Sequence, residues 1–174
     1  MATLLTVGHG TLARDALGGL LRDAGVRLVV DVRRFPGSRR DPDVARDALA
    51  TWLPDVGVGY RWEERLGGRR SRVDDDVDVW WQVAAFRAYA AHARTDVFRS
   101  AMTGLLADAA APGAAVMCSE TVWWRCHRRI ISDVAVLLHG VDVRHLAHDG
   151  RLTPHPPAAG ARVTPAGLVY DVVG

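Results

Sequence analysis

Short apolar runs rich in β-branched residues alternate along this sequence with longer segments of helical period. That alternation constrains the fold more than any other feature. TLLTVG (3–8), RLVVDV (27–32) and AAVMCSE (114–120) are strand-like, VGYRWEE (58–64) is a third strand weakened by its glycines, and VDVRHLA (141–147) is the last. Between them, Leu17, Leu20, Leu21 and Ala24 share one helical face behind a capping Thr11, and Ala45, Ala48, Leu49, Trp52 and Leu53 repeat the pattern over 43–53. Residues 80–93 and 96–110 predict two more helices. A further helix over 125–139 carries Ile130, Ile131, Val134, Leu137 and Leu138 inward. Strands separated by helices predict a mostly parallel sheet with helices on both faces. The expected fold is α/β: a single three-layer domain over 1–174, Rossmann-like or flavodoxin-like, with its strand order left open. A Pro-rich C-terminal extension covers 150–174.

The charge balance bears on partners. Net charge is +2, yet all 22 basic residues are arginine and lysine is absent. A GC-rich coding bias accounts for the choice. Its physical consequence is a surface suited to planar anions, because guanidinium binds phosphate or carboxylate in a bidentate fork. The near-neutral total argues against a dedicated nucleic-acid module, which carries a clear basic excess. Two cysteines do not make a disulfide scaffold, and no run approaches the roughly 20 apolar residues of a membrane span. The N-terminus has no basic region of a signal peptide, so a cytoplasmic protein without a membrane partner is expected. Oligomeric state is not legible.

In an open α/β sheet, ligands bind beyond the carboxyl ends of the strands. His9 follows the first strand, Asp31 and Arg33 close the second, Glu63 and Glu64 the third, and Cys118 and Glu120 the strand that feeds CSETVWWRCHRR. A parallel sheet brings all of these to one edge, and that convergence says more than any single motif. His9 between glycines also suits a helix cap, and Asp31 also suits a bonding role toward a loop. FPGSRRDP reads as a surface turn or as an anion clamp containing Arg33, Arg34, Arg39 and Arg40.

Both cysteines lie within residues 118–126. Burial as a small apolar group accounts for Cys118 but poorly for Cys126, flanked by Arg125, His127 and Arg128. A thiol among cations near a helix start carries a lowered pKa and a substantial thiolate fraction. A second reading makes Cys118, Cys126 and His127 ligands of a divalent metal. The spacing disfavours it, because structural zinc sites pair cysteines two to four residues apart. A cysteine-phosphatase loop also fails: six residues separate Cys118 from Arg125, one too many, and Glu120 repels phosphate. A disulfide between the two cysteines is a further reading. Trp80, Trp81, Trp123 and Trp124 would stack bases in a nucleic-acid binder, but tryptophan is more often packing.

TVGHGT, VVDVRRFPGSRRDP, ERLGGRR and MCSETVWWRCHRRII occur in that order, and together they resemble the family catalogued as domain of unknown function 488. The resemblance covers about residues 4–147. It implies that His9, Asp31, Arg33, Cys118, Glu120, Cys126, His127 and Arg128 stand at the family's motif positions, and it supplies neither substrate nor reaction.

The residues therefore point to a small enzyme acting on an anionic substrate: a phosphate-bearing molecule, a nucleotide or nucleic acid. Asp31, Cys118, Glu120, Cys126 and His127 are the candidate catalytic groups. His9, Arg33, Arg40, Arg70 and Arg128 are the candidate substrate-binding groups. The alternatives are a non-catalytic nucleic-acid binding module and a metal-dependent hydrolase.

Overall fold

The computed structural model describes residues 2–173. Six strands form one sheet: β1 (Thr3–Gly8), β2 (Leu28–Asp31), β3 (Gly59–Trp62), β4 (Ala114–Cys118), β5 (Asp142–Leu146) and β6 (Leu152–Pro154). Their order is β3-β2-β4-β1-β5-β6, and every pairing is parallel except that of β6 with β5. β4 is buried along its whole length and β1 along all but its first residue, as expected of central strands covered on both faces. β6 is exposed throughout and ends in proline, which an edge tolerates.

Two apolar clusters flank the sheet. α1 (Arg14–Asp23) and α2 (Arg46–Asp55) cover one face, where Leu17, Leu21, Leu49 and Trp52 meet Val7, Val29 and Met117. α3 (Ala84–His92), α4 (Asp96–Ala109) and α5 (Arg128–His139) cover the other, where Phe98, Leu105 and Ile131 meet Leu4, Val30 and Val116. Successive strand residues thus supply opposite faces, and the architecture is the three-layer α/β domain that the alternation predicts. Among the described residues, no helix is long and apolar enough to cross a membrane.

Four boundaries differ from expectation. α2 runs Arg46–Asp55 rather than 43–53, behind a 3-10 turn at Pro42–Val44. Thr11 does not cap α1; Ala13 occupies that position without a side-chain bond. α3 begins at Ala84 rather than 80, because Trp80 N–H bonds Tyr170 O and Trp81 N–H bonds Asp78 O in a turn ahead of it. α5 begins at Arg128 rather than 125. A 3-10 turn, Trp123–Arg125, comes first, and Cys126 follows it in extended conformation.

The segment 150–173 forms more structure than an extension suggests. Besides β6 it forms a hairpin, β7 (Ala161–Thr164) and β8 (Gly167–Tyr170), which buries Leu168 and Tyr170 in the α3–α5 layer. Asp78 fastens it by accepting from Tyr170 N–H and from both Nη atoms of Arg94.

The glycines of GHG carry a steric role. His9 N–H bonds Cys118 O and Gly10 N–H bonds Ser119 O, so the loop leaving β4 runs against the loop leaving β1. A Cβ on Gly8 would lie 1.7 Å from Glu120 O, a backbone atom. Gly8→Ala is therefore expected to destabilise the fold by about 3 kcal/mol or more, as overpacking does when backbone must move. Gly19→Ala, on α1 with nothing within 4 Å, is expected to stabilise it by about 0.5–1 kcal/mol. Denaturant midpoints of the two variants against the wild type check both signs.

Candidate active site at the carboxyl edge of the sheet

The register Gly8↔Cys118 between β1 and β4, and Asp31↔Met117 between β2 and β4, sets three strand ends side by side. Asp31 is fully buried and its carboxylate is saturated. Arg33 donates to it through Nε at 2.8 Å and Nη2 at 2.7 Å, and the Tyr60 hydroxyl donates at 2.5 Å. Burial and the adjacent Asp31 raise the Tyr60 pKa, so this phenol stays a donor. Arg33 Nη2 also bonds Val44 O, and its Nη1 lies 3.4 Å from His9 Nε2. Since His9 Nδ1–H donates to Gly10 O, Nε2 is the acceptor, and burial holds this ring neutral. Asp31 and His9 thus position Arg33. At the end of β3, Glu63 accepts from Arg61 and Arg65.

Cys118 and Cys126 are free thiols whose Sγ atoms lie 3.3 Å apart. Beneath them is Arg128, 1% exposed. It donates through Nε to Cys118 Sγ at 3.1 Å, through Nη1 to Thr6 Oγ1 at 3.1 Å, and through Nη2 to Glu120 O at 2.7 Å. The pair shares one charge unevenly. The Cys118 S–H donated to Cys126, opposed by burial and helped by the Arg128 cation, draws the Cys126 pKa down to about 6. That same bond and burial push Cys118 well above the ordinary thiol value. At neutral pH Cys126 is the thiolate and Cys118 its donor.

His127 is held by Val32. Its Nε2–H donates to Val32 O at 2.6 Å, and burial lowers its pKa to about 4. The ring is neutral, with the Nδ1 lone pair unprotonated beside Gly68, where a Cβ would come within 3.0 Å of it.

Behind Arg128 a buried hydrogen-bond chain runs across the domain. Thr6 Oγ1 contacts His145 Nδ1 at 2.5 Å, His145 Nε2 contacts His155 Nδ1 at 2.8 Å, and His155 Nε2 contacts Asp133 Oδ1 at 2.6 Å. Tyr170 of β8 donates to the other oxygen of Asp133 at 2.8 Å. The carboxylate can only accept, so His155 donates to it through Nε2. Burial lowers the His145 pKa to about 3, which keeps that ring neutral.

A cavity of about 430 Å³ opens at this edge, a size suited to a small-molecule ligand. Cys118, Glu120, Cys126, His127 and Arg33 line it, as does Ser119. His9 and Asp31 stand behind Arg33. Three arginines expected to hold the anion do not line the cavity. Arg128 is consumed beneath the thiols, Arg70 clamps its own loop by donating to Gly67 O and Glu64 O, and Arg40 is exposed elsewhere. The arginines that line the cavity besides Arg33 are Arg34, Arg69 and Arg125, with Phe35, Phe86 and Tyr89 as an apolar wall. Arg34 Nε is buried without a partner, and Arg69 adopts a left-handed backbone (φ 57°) uncommon outside glycine. Arg34 and Arg69 lie in motifs that the sequence marks, VVDVRRFPGSRRDP and ERLGGRR. Phe86 and Tyr89 give no sequence signal, since α3 reads as plain core.

The conditional metal set does not assemble. The two thiols face each other while His127 turns to Val32, and among the described residues no three His, Cys, Asp or Glu side chains converge as metal ligands would. Of the four paired tryptophans, Trp123 stacks on His145 at 4.3 Å, Trp81 stacks on Phe86 at 4.6 Å with Trp80 edge-on to it, and Trp124 is half exposed.

Fold and geometry together define a class: a mostly parallel α/β domain with two thiols in contact at the carboxyl edge of its sheet. Residues 13–135 match the model of the family described as Domain of unknown function DUF488, and the chain belongs to that family. No curated protein and no solved structure matches the chain.

Proposed function

We propose that this protein is a thiol-dependent enzyme that acts on a small anionic substrate. The observation that carries the reading is Cys126 lining, with Arg34, Arg69 and Arg125, one cavity of ligand size. Arg33 is already neutralised by Asp31, so these three cations stand against Glu120 alone. They recognise phosphate or carboxylate, and the aromatic wall accepts an apolar or planar portion of the same molecule. The Cys126 thiolate attacks the electrophilic centre and the leaving group departs. Water deprotonated by His127 Nδ1 then releases the product and restores the thiolate. Arg33, set by Asp31 and His9, is the fixed cation at the rim. A reducing compartment such as the cytoplasm keeps both thiols available.

Inorganic phosphate and adenosine monophosphate test the anion site as protectants against alkylation of Cys126 by neutral iodoacetamide. Protection of about fivefold or more at saturating probe is expected, with loss in Arg69→Met/Arg125→Met. Equal alkylation with and without either anion, in wild type and variant alike, rejects the anionic class.

A further inference from the structure

The two thiols occupy different positions relative to solvent. Both line the cavity, but Cys126 is half-buried whereas Cys118, at the end of β4, is only 2% exposed. A reagent entering the cavity meets Cys126 first. Cys118 is within reach of Cys126 itself, at 3.3 Å. Closing that gap to the roughly 2.05 Å of a disulfide takes about 1.2 Å of movement. Cys126 stands outside the sheet in extended backbone, with its N–H bonded to Trp123 O at 3.4 Å and its carbonyl to Arg129 N–H at 3.1 Å. Cys118 is held more firmly, in the parallel ladder of β4 with its carbonyl bonded to His9 N–H at 2.9 Å, so the movement falls to Cys126. Arg128 Nε, 3.1 Å from Cys118 Sγ, supplies the cation that holds charge on Cys118 once its proton leaves. One half-buried thiol, one buried thiol in contact with it and a cation beside the buried one is an arrangement for two successive exchanges.

We propose that Cys126 and Cys118 act as an attacking and a resolving thiol that together reduce a small disulfide bearing carboxylates, bound among the cavity arginines. The inference rests on Cys126 being the nucleophile of the proposed enzyme, and adds a redox activity to it. In the first step the Cys126 thiolate attacks one sulfur of the disulfide R–S–S–R. The S–S bond breaks, one R–S⁻ leaves, and Cys126 carries a mixed disulfide. In the second, Cys118 gives its proton to water and its thiolate attacks Cys126 Sγ. The second R–S⁻ leaves and the Cys118–Cys126 bond forms. Two electrons pass from the thiol pair to the substrate, and one proton is released to solvent. Two equivalents of an external thiol return the pair to its reduced state, the first opening the Cys118–Cys126 bond as a mixed disulfide and the second displacing it as the external disulfide.

The probe is 5,5′-dithiobis(2-nitrobenzoate), an aromatic disulfide with two carboxylates, added to the intact chain at pH 7. The wild type is expected to release about two equivalents of thionitrobenzoate and to become about 2 Da lighter with no adduct. Cys118→Ser is expected to stop at about one equivalent and keep the adduct on residue 126. A wild-type protein that stops at one equivalent with a stable adduct on Cys126 overturns the resolving role of Cys118, and leaves Cys126 standing as nucleophile. A wild-type protein that does not react, or a Cys126→Ser protein that reacts as fast as wild type, overturns both this inference and the proposed function. Two equivalents released with an adduct on each cysteine also overturns the resolving role, so wild-type stoichiometry and mass together decide that step and the test does not depend on a variant folding.

Discussion

Alkylation of Cys126 by iodoacetamide will rise with pH along a single titration centred at about 6 and level off by neutral pH. A pKa of about 6 leaves roughly a quarter of the thiol ionised at pH 5.5, against about one part in a thousand for an ordinary cysteine near 8.5. A weaker base is also a weaker nucleophile, by about tenfold over this interval, so the net advantage at pH 5.5 is about 20-fold. Cys118→Ala removes the S–H donor and is expected to move the midpoint up by about one unit or more, whereas Cys118→Ser keeps a donor and moves it less. Rates that continue to climb beyond pH 8 with no plateau near neutrality would show that Cys126 is an unperturbed thiol. The same titration has a stability counterpart. The folded pKa of Cys126 lies below the unfolded value, so its contribution is fully present above the unfolded value, near 8.5, and is lost as pH falls toward 6. The raised Cys118 pKa acts oppositely at alkaline pH, where the unfolded chain sheds a proton that the folded one retains.

The second large effect concerns Asp31. Asp31→Asn is expected to destabilise the protein by about 3–5 kcal/mol, the cost of leaving a buried guanidinium without its anion. Arg33 is 8% exposed and already bonded to Val44 O and to His9, so it has no route to water that keeps those contacts. The double variant Asp31→Asn/Arg33→Met should recover much of the loss, because it removes the uncompensated charge as well. Guanidinium unfolding of the four proteins completes the cycle. A single-variant loss under about 1 kcal/mol would mean that the pair is solvated and does not order the rim.

The sequence discloses the fold through its strands. AAVMC and LVVD are apolar runs too short for helices, and their alternation with amphipathic segments leaves little besides a parallel sheet. The candidate site is legible to the same depth, since strand ends that converge bring Cys118, Glu120, Cys126, His127 and Arg33 together. What periodicity does not disclose is burial of charge. An arginine at a helix start reads as a solvent-facing anion ligand, yet Arg128 is among the most buried side chains, because Thr6, Cys118 and the 120–121 carbonyls absorb its donors. Arg69 is hidden for another reason: a loop residue with left-handed backbone has no period to follow. β6, β7 and β8 span three or four residues each, at or below the shortest run in which alternation becomes a signal.

The buried chain from Tyr170 through Asp133, His155, His145 and Thr6 to Arg128 also has a consequence in time. A ribosome delivers residues 118–128 well before residue 170, so the thiols exist for a while without the last donor that fixes Asp133, and Asp133 fixes the histidines behind Arg128. The guanidinium beside the cysteines is held first by Cys118 and the 120–121 carbonyls, and its remaining support through Thr6 is completed only when Tyr170 arrives with the β7–β8 hairpin. The surroundings of the two thiols are thus assembled in two stages of synthesis, the nearer contacts before the farther ones.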